Sequence, residues 1–244
     1  MFRQLVAGVS DGARLMGQDT LKLDAAAAAV EMVEAGMLVG LGTGSTATHA
    51  IRLLGARFRD GLRFTGVATS VASFQLAGSF GIPLIESPTA TQIDMTIDGA
   101  DEIGEADLSL IKGMGGALLR EKIVAVMSRR LVIIADETKL LPRLTGRAPV
   151  PVEVVTFGWE STRARLAALG CRPVLKRDAR GEPFRTDGGN LIMNCKFDPL
   201  PDPASIERTL SMVVGVVEIG LFLGLATTAL IASPTGVRRI DRPG

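Results

Sequence analysis

Residues 37–58 read MLVGLGTGSTATHAIRLLGARF, and this stretch decides the fold. Its first part is a short apolar run that ends in glycines, and its second part has the apolar spacing of a helix. A buried strand that turns through glycines into a helix is the building unit of a parallel α/β sheet. The stretch therefore predicts a strand, a glycine-rich turn and a helix, with the turn at the carboxyl end of the strand.

The same alternation continues on both sides of this unit. Before it, LKLDAAAAAVEMVEA predicts a helix that Asp19 caps and Gly36 ends. After it, helical stretches are expected near residues 71–80 and 117–129, between strand-like segments that read FTGVAT, IPLI, MTID, LSLIKG and RLVIIAD. The predicted fold class is α/β, with a Rossmann-like parallel sheet and helices on its faces.

The texture of the sequence changes after LTGRAPVP, where prolines mark a crossing into a second unit. The segments that follow predict strand, helix, two strands, helix and strand, which is a split β-α-β arrangement. The tail TTALIASPTGVRRID is expected to return one strand to the first sheet. We therefore predict a Rossmann-like domain from residues 1–147 and 221–244, and a smaller α+β domain from residues 148–220 that joins subunits.

Composition and charge exclude several classes of protein. The chain has 27 Lys and Arg against 26 Asp and Glu, so no net field attracts nucleic acid or a membrane surface. Tyr is absent, and Cys171 and Cys195 stand outside any CxxC pair, which suits a reducing compartment. No signal peptide and no apolar stretch of ~20 residues is evident. We expect a soluble cytoplasmic protein with a small-molecule partner, and neither nucleic acid nor membrane as a partner.

The turn Thr43-Gly44-Ser45-Thr46 is the first candidate site. Backbone N–H groups at the start of a helix, together with hydroxyls, can surround a phosphate. The turn lacks the lysine of a Walker loop and the third glycine of a dinucleotide fingerprint, so neither nucleotide site is predicted. The alternative is a plain glycine turn in which Thr43 or Ser45 caps the helix.

The second candidate is the acidic loop DGADE at residues 98–102, directly after the strand-like MTI. Clustered carboxylates at a strand end can bind sugar hydroxyls, move protons or hold a divalent metal. A metal is the weakest of these, because no His cluster and no EF-hand spacing accompanies the loop. The alternative is an Asx-type turn with solvated acids.

The third candidate is KGMGG at residues 112–116 with the helix that follows it. A cation beside bare amides favours an oxyanion. Helical spacing places Glu121 among small, mostly apolar residues, and desolvation there would raise its pKa toward neutrality, which suits a general base. The alternative is that Arg120-Glu121-Lys122 is a solvated run of charges.

Three further side chains could contribute to the site or to the fold. His49 is the only histidine, and we expect it to pack or hydrogen-bond rather than to catalyse. Acid–base chemistry must then rest on carboxylates. Lys139, after RLVIIAD, and Lys22, near the N-terminus, either reach a phosphate or carboxylate or lie on the surface.

Taken in order, these motifs resemble those of the A-type ribose-5-phosphate isomerases. The resemblance runs from about residue 18 to the C-terminus, through GLGTGSTA, TIDGADEI, LIKGMGGALLREK, IADETK, PVEV and FRTDGGNLI. It implies an aldose–ketose isomerase of the non-oxidative pentose phosphate pathway, which interconverts ribose 5-phosphate and ribulose 5-phosphate through an enediolate. The sequence has no His-rich metal spacing and no dinucleotide fingerprint, so we expect no metal and no cofactor. The smaller domain predicts a homodimer or homotetramer.

The resemblance assigns the site residue by residue. The base falls on Glu121, and the other catalytic groups fall on Asp98, Asp101 and Lys112. The substrate-binding positions are Thr43, Gly44, Ser45, Thr46, Asp98, Gly99, Ala100, Asp101, Lys112, Gly113, Met114, Gly115 and Lys139. Two features depart from the family: Met114 stands where many members have glycine, and residues 1 to about 17 precede the usual start, as an over-long start or a disordered extension.

Two other classes of protein share this architecture. One is a non-catalytic sensor domain that binds sugar phosphates, and the other is a sugar-phosphate deaminase or acyl-CoA transferase. No helix-turn-helix is appended to this sequence, and Glu121 with both aspartates favours an enzyme over a sensor. The ordered set of motifs argues against a deaminase or an acyl-CoA transferase.

Overall fold

The computed structural model describes residues 5–89 and 92–243, and side chains from residue 17 onward; residues 1–4 of the N-terminal extension lie outside this part. The helices are α1 (Leu5–Val30), α2 (Ser45–Arg59), α3 (Val71–Ser79), α4 (Leu118–Val126), α5 (Trp159–Ala168) and α6 (Pro203–Ser211), with a 3₁₀ turn at Glu137–Lys139. The strands are β1 (Leu38–Leu41), β2 (Thr65–Ala68), β3 (Met95–Asp98), β4 (Glu102–Gly104), β5 (Leu110–Ile111), β6 (Leu131–Asp136), β7 (Leu140–Leu141), β8 (Val150–Val154), β9 (Arg172–Leu175), β10 (Leu191–Lys196), β11 (Val216–Ile219), β12 (Leu221–Phe222), β13 (Thr228–Ser233) and β14 (Gly236–Asp241).

The main sheet has the order β14-β13-β6-β3-β1-β2, and its strands are parallel except for β14. The predicted α/β class and the strands FTGVAT, MTID and RLVIIAD are confirmed. One predicted strand is wrong, because residues 82–85 make only a single bridge at Leu84. The strand predicted in LSLIKG is present over two residues, but it belongs to a different sheet. The tail returns a hairpin of two strands, β13 and β14, rather than one.

The first helix differs from its prediction at both ends. It extends from Leu5 to Val30, so Asp19 lies inside the helix instead of capping it, and the helix ends before Gly36. The Asp19 carboxylate instead lies 3.0 Å from Nε2 of His49 on α2. This bond joins α1 to α2 and gives His49 the structural role predicted for it.

A second sheet, antiparallel and ordered β11-β8-β10-β9, packs with α5 and α6. Its elements follow the predicted order of strand, helix, two strands, helix and strand. Cys171 and Cys195 are free and buried in the core of this unit. Throughout the described ranges, no helix has the length and apolar character needed to cross a membrane.

A third, short sheet joins the two larger ones and has the order β12-β5-β4-β7. Side chains alternate along a strand, so adjacent residues face opposite ways. Ile111 and Leu221 accordingly enter the core of the antiparallel unit, while Leu110 and Phe222 enter a core shared with the main sheet. The acidic loop runs into β4 and the KGMGG loop leaves β5, so this sheet sets the two loops side by side.

Candidate active site

The three predicted loops meet at the carboxyl end of the main sheet. The chain leaves β1 toward β2 on one side, while β3 pairs with β1 on the other, which is a topological switch point. A cavity of about 130 Å³ opens there, and its lining residues are Lys22, Thr43, Gly44, Ser45, Thr46, Gly99, Ala100, Asp101, Lys112, Gly113, Gly115, Glu121 and Lys139. A larger cleft of about 490 Å³ lies at the β13–β14 hairpin, but its Arg238 and Glu105 pair with each other, so we place the site in the smaller cavity.

The first loop packs closely against the end of β3. A side chain on Gly42 would bring its Cβ within 2.2 Å of Oδ1 of Asp98, so only glycine fits there. The Thr43 hydroxyl lies 2.8 Å from the hydroxyls of both Thr69 and Ser70. The backbone N–H of Thr43 donates to Oδ1 of Asp98. Thr43 therefore holds the loop in place through its own polar groups.

The start of α2 is the part of this loop that is open to a ligand. The residue before the helix is Gly44, with φ 105°, and no side chain caps the helix, so the predicted alternative of a Thr43 or Ser45 cap is wrong. The first N–H groups of a helix have no partner within it. Ser45 and Thr46 line the cavity, so their amides are available there as donors for an oxyanion.

The chemical groups of the site converge on Lys112. Its Nζ lies 2.9 Å from Oδ2 of Asp98 and 3.3 Å from Oε2 of Glu121, and it donates to the Gly99 carbonyl at 2.6 Å. The side chains of Asp98, Lys112 and Glu121 are 2%, 3% and 4% exposed. A buried ammonium therefore sits between two buried carboxylates that come from different elements of the fold.

Burial is the main cause of the raised pKa of Glu121. Desolvation, aided by the negative charge of Asp98, raises the pKa of Glu121 to about 8, against the lowering effect of Lys112. Its Oε2 has no hydrogen-bond partner among the described groups. Burial alone would lower the pKa of Lys112, but Asp98 and Glu121 raise it above the ordinary value, so Lys112 keeps its charge. The carboxyl of Glu121 can therefore exchange a proton near neutral pH.

The residues beside Glu121 point away from the cavity. Arg120 lies 3.6 Å from Asp187, and Lys122 lies 2.7 Å from Glu218, both partners being in the antiparallel unit. The alternative that residues 120–122 form a solvated run of charges is therefore wrong for Glu121. The helical face that the sequence assigned to this residue is the buried one.

The structure gives the three acids of the DGADE loop three different environments. Asp98 is buried behind the cavity, where its Oδ1 also accepts the Gly99 N–H at 2.7 Å. Asp101 lines the cavity, and burial raises its pKa above the ordinary value. Its Oδ2 accepts the Met114 N–H at 3.0 Å. The alternative of solvated acids is wrong for Asp98 and for Glu102, which are 1% and 0% exposed.

Glu102 anchors the chain that leads into the antiparallel unit. Its Oε1 accepts the N–H groups of Thr145 and Gly146, and its Oε2 accepts that of Ala148. These three amides belong to the turn just before β8. Glu102 is therefore a structural carboxylate, although the sequence places it in the same cluster as Asp98 and Asp101.

Replacing Glu102 with alanine should destabilise the fold. The change leaves three N–H groups without an acceptor in a buried place, and hydrogen bonds to a charged group contribute about 1.5–3 kcal/mol each. We expect a loss of about 3–5 kcal/mol in the free energy of unfolding, measured by urea denaturation. Glu105→Ala on the surface is the matched control, and an equal loss in both variants would contradict the anchoring role.

The third loop is held at its base by backbone contacts. The Lys112 N–H donates to the Gly220 carbonyl, and Gly113 adopts a φ of 109° that favours glycine. Met114 does not line the cavity with its neighbours; it lines an adjoining cleft of about 420 Å³, and its N–H is used by Asp101. Lys139, which the resemblance assigns to the substrate, lines the cavity, and so does Lys22, for which the sequence left two interpretations open. In the part of the chain that is described, no cluster of three or more His, Cys, Asp or Glu side chains can hold a metal ion.

A buried carboxyl with a raised pKa, a buried cation beside it and an uncapped helix start are the groups that an enzyme needs to transfer protons on a small anionic substrate. The model of the ribose 5-phosphate isomerase A (phosphoriboisomerase A) family matches residues 65–236. A ribose-5-phosphate isomerase A of Thermomicrobium roseum is 50% identical over 93% of this chain and 96% of its own length. That of a Synechococcus strain is 51% identical over 91% of this chain and 97% of its own. The chain belongs to the ribose-5-phosphate isomerase A family.

Solved structures agree with this assignment. The ribose 5-phosphate isomerase of Plasmodium falciparum is 37% identical with a TM-score of 0.88, and the match covers 93% of this chain and all of the other. The isomerase A of Methanocaldococcus jannaschii is 36% identical with a TM-score of 0.86, over 91% of this chain and 99% of the other. A further D-ribose-5-phosphate isomerase, 34% identical, was solved in complex with phospho-erythronic acid.

Proposed function

We propose that the chain interconverts D-ribose 5-phosphate and D-ribulose 5-phosphate through an enediolate, with Glu121 as the base. One observation carries the proposal: Glu121 is buried in the cavity wall, and its Oε2, 3.3 Å from Nζ of Lys112, accepts no hydrogen bond from the described groups. The complex of a related isomerase with phospho-erythronic acid, a phosphorylated sugar acid, supports a ligand of this size and charge. Loss of deuterium uptake at carbon 2 of ribose 5-phosphate in a Glu121→Gln variant would test the base.

The reaction moves one proton between two carbons. The Glu121 carboxylate takes the proton from carbon 2 of the open-chain aldose, and the electron pair of that bond passes to the carbonyl oxygen on carbon 1. Lys112 faces the resulting enediolate charge, and a donor of this kind contributes about 10²–10³-fold in rate. The protonated Glu121 then returns its proton to carbon 1, while the hydroxyl proton of carbon 2 moves to the oxygen on carbon 1.

Asp101, rather than Asp98, is positioned to open the furanose ring. Both oxygens of Asp98 are engaged, with Lys112 on one side and the amides of Thr43 and Gly99 on the other. Asp101 lines the cavity, and its raised pKa suits a group that accepts and returns a hydroxyl proton. We therefore assign ring opening to Asp101 and the orientation of Lys112 to Asp98.

Asp101→Asn should separate ring opening from proton transfer. We expect kcat for ribose 5-phosphate to fall by about 10²-fold, since the variant lacks an acid–base group for the ring hydroxyl. Ribulose 5-phosphate cannot form a furanose, because its 5-hydroxyl carries the phosphate. Deuterium uptake at its carbon 1, followed by NMR, should therefore continue at nearly the normal rate. Equal losses of turnover and of deuterium uptake would contradict the assignment.

The phosphate is expected at the start of α2, remote from the reacting carbons. The amides of Ser45 and Thr46, with Lys22 and Lys139 on the cavity wall, form the positive end of the site. Glu121 and Lys112 lie on the wall formed by α4 and the third loop. Binding energy gained at the phosphate can thus be used to position carbons 1 and 2.

We propose that residues 148–220 form the smaller domain and that its surface joins a second copy of the chain. Large apolar side chains are exposed there: Phe157 is 94% exposed, Met212 82% and Val214 75%. The Val155 N–H donates to the Gly215 carbonyl, so the two segments that carry these side chains are adjacent. Apolar surface of this kind is typical of protein contacts.

Phe157→Asp should weaken this association. A charge in an apolar contact loses hydration without gaining a partner, so we expect the variant to dissociate at concentrations where the parent chain is a dimer or tetramer. Light scattering at micromolar concentration measures the mass. Val237→Asp, on β14 of the main sheet, is the matched control. A monomeric parent chain would refute the proposal.

We also propose the cytoplasm as the compartment. Two observations support it: Cys171 and Cys195 are free thiols, and the relatives are metabolic isomerases. Localisation of a fluorescent fusion in a host cell would test it.

A further inference from the structure

We infer that Lys176, from the antiparallel unit, is a positioning residue that holds the Asp101 carboxylate in its working orientation. It acts through Met114, and it does not itself line the cavity. The inference rests on the ring-opening role proposed above for Asp101. Its evidence is a chain of contacts that crosses from one unit of the fold to the other.

On the side of the antiparallel unit, Lys176 lies at the base of the hairpin formed by residues 176–184. It follows β9, its N–H donates to the Ile192 carbonyl, and its carbonyl accepts the Phe184 N–H at 3.0 Å. The Phe184 ring lies directly under the ammonium, with Nζ 4.1 Å from the ring centroid. The hairpin therefore presents one cation and one aromatic ring in a fixed arrangement.

On the catalytic side, both groups contact the KGMGG loop. Nζ of Lys176 donates to the Met114 carbonyl. The Phe184 ring packs against Gly116, where an added Cβ would lie 2.3 Å from the ring. These contacts stand on either side of Gly115, which lines the cavity. The hairpin thus fixes the loop at two points around its tip.

Met114 passes this restraint to the acid. While its carbonyl accepts from Lys176, its N–H donates to Oδ2 of Asp101 at 3.0 Å. The Met114 side chain itself is 37% exposed and lies outside the cavity lining. What Lys176 orders at this position is therefore the backbone that binds Asp101.

The electrostatics agree with this geometry. Burial lowers the pKa of Lys176, and the negative charge of Asp101 opposes that effect. The ammonium has given up part of its hydration for the Met114 carbonyl and the Phe184 ring. Charge-assisted hydrogen bonds are the strong ones in proteins, which suits a contact that must hold a loop against solvent.

The test compares three variants on ribose 5-phosphate. Lys176→Met keeps the length of the side chain without its charge, and we expect kcat to fall about tenfold, because small misplacements of a catalytic group are costly. KM should change by less than about twofold, because the groups expected to bind the phosphate lie at the start of α2 and on the cavity wall, outside the hairpin. Lys176→Arg should restore most of the turnover. Arg177→Met, whose guanidinium donates to Gly181 within the same hairpin, should behave like the parent chain.

Deuterium uptake at carbon 1 of ribulose 5-phosphate distinguishes positioning of Asp101 from general damage. In Lys176→Met it should stay within about twofold of normal, because Glu121 and Lys112 remain in place. Phe184→Leu, which preserves an apolar contact but removes the ring, should reproduce the pattern more weakly and serves if Lys176→Met does not fold. Normal turnover in Lys176→Met, or uptake that falls in parallel with turnover, would overturn the inference. If instead Asp101→Asn turns over normally, the proposed role of Asp101 is what has failed.

Discussion

Glu121→Gln is expected to lower kcat by about 10²-fold or more, since the amide keeps the shape of the side chain but cannot take a proton. Ribose 5-phosphate should still bind with a similar affinity, because the start of α2 and the lysines of the cavity wall are untouched. Kinetic assay and calorimetric titration measure the two quantities separately. A large loss of turnover with retained binding is the signature of a group that acts in the transition state.

Isotope exchange shows whether Glu121 is the base itself. In heavy water the variant should take up no deuterium at carbon 2 of ribose 5-phosphate or at carbon 1 of ribulose 5-phosphate. Glu160→Gln, on an exposed turn of α5, is the matched control and should exchange normally. Near-normal exchange in Glu121→Gln would transfer the role to Asp101 or Asp98. A sensor, by contrast, would show neither turnover nor exchange in the parent chain.

The pH dependence of the same reaction gives an independent reading. Glu121 must lose its proton before it can act, and burial raises its pKa to about 8, so kcat/KM should rise with pH up to that value. A sugar phosphate completes its own ionisation near pH 6, about two units lower, so the two effects are separable. The small residual activity of Glu121→Gln should lack the rise near pH 8.

Lys112→Met should have an effect of similar size on rate and a larger one on stability. The change removes the cation that faces the enediolate and leaves Asp98 and Glu121 buried together, so their mutual repulsion favours protonation of the base. We expect kcat to fall by about 10³-fold. Breaking a buried ion pair by removing one partner also costs about 3–5 kcal/mol, which thermal unfolding would register.

A double variant separates these two consequences. Asp98→Asn combined with Lys112→Met removes the unpaired charge next to the new methionine, so it should recover part of the lost stability. It should not recover turnover, because the cation is still missing. A Lys112→Met variant whose turnover stays within about tenfold of the parent would show that the ammonium is not the oxyanion partner.

Much of this site could be predicted from the sequence because its signals are local. The alternation of strand and helix places the turn at Thr43–Thr46 and the acids after MTI at one edge of the sheet. Helical spacing identifies the small-residue face around Glu121. Residue spacing does not reveal the partner of each side chain. Glu121 on α4 is buried against Lys112 and Asp98, which lie at the ends of the strands β5 and β3.

The errors have physical reasons of the same kind. The strand β5 has two residues, too few for any periodicity, so LSLIKG was indistinguishable from a strand of the main sheet. Asp19 is a residue type that favours an N-cap, but the helix begins upstream at Leu5, so Asp19 lies inside it. Glu102 and Asp101 are neighbours in sequence, yet one binds a turn 43 residues away and the other faces the cavity. The role inferred for Lys176 depends on a contact 62 residues distant.

The short sheet between the two larger ones limits how the chain can be divided. Leu110 and Ile111, like Leu221 and Phe222, send neighbouring side chains into different cores. A cut at the prolines near residue 149 would therefore expose apolar surface on both fragments and release the backbone that carries the acidic loop and the KGMGG loop. The boundary that the prolines mark in the sequence is a packed contact between the two units in the folded protein. Swapping or truncating the smaller unit would therefore also disturb the two loops that line the cavity.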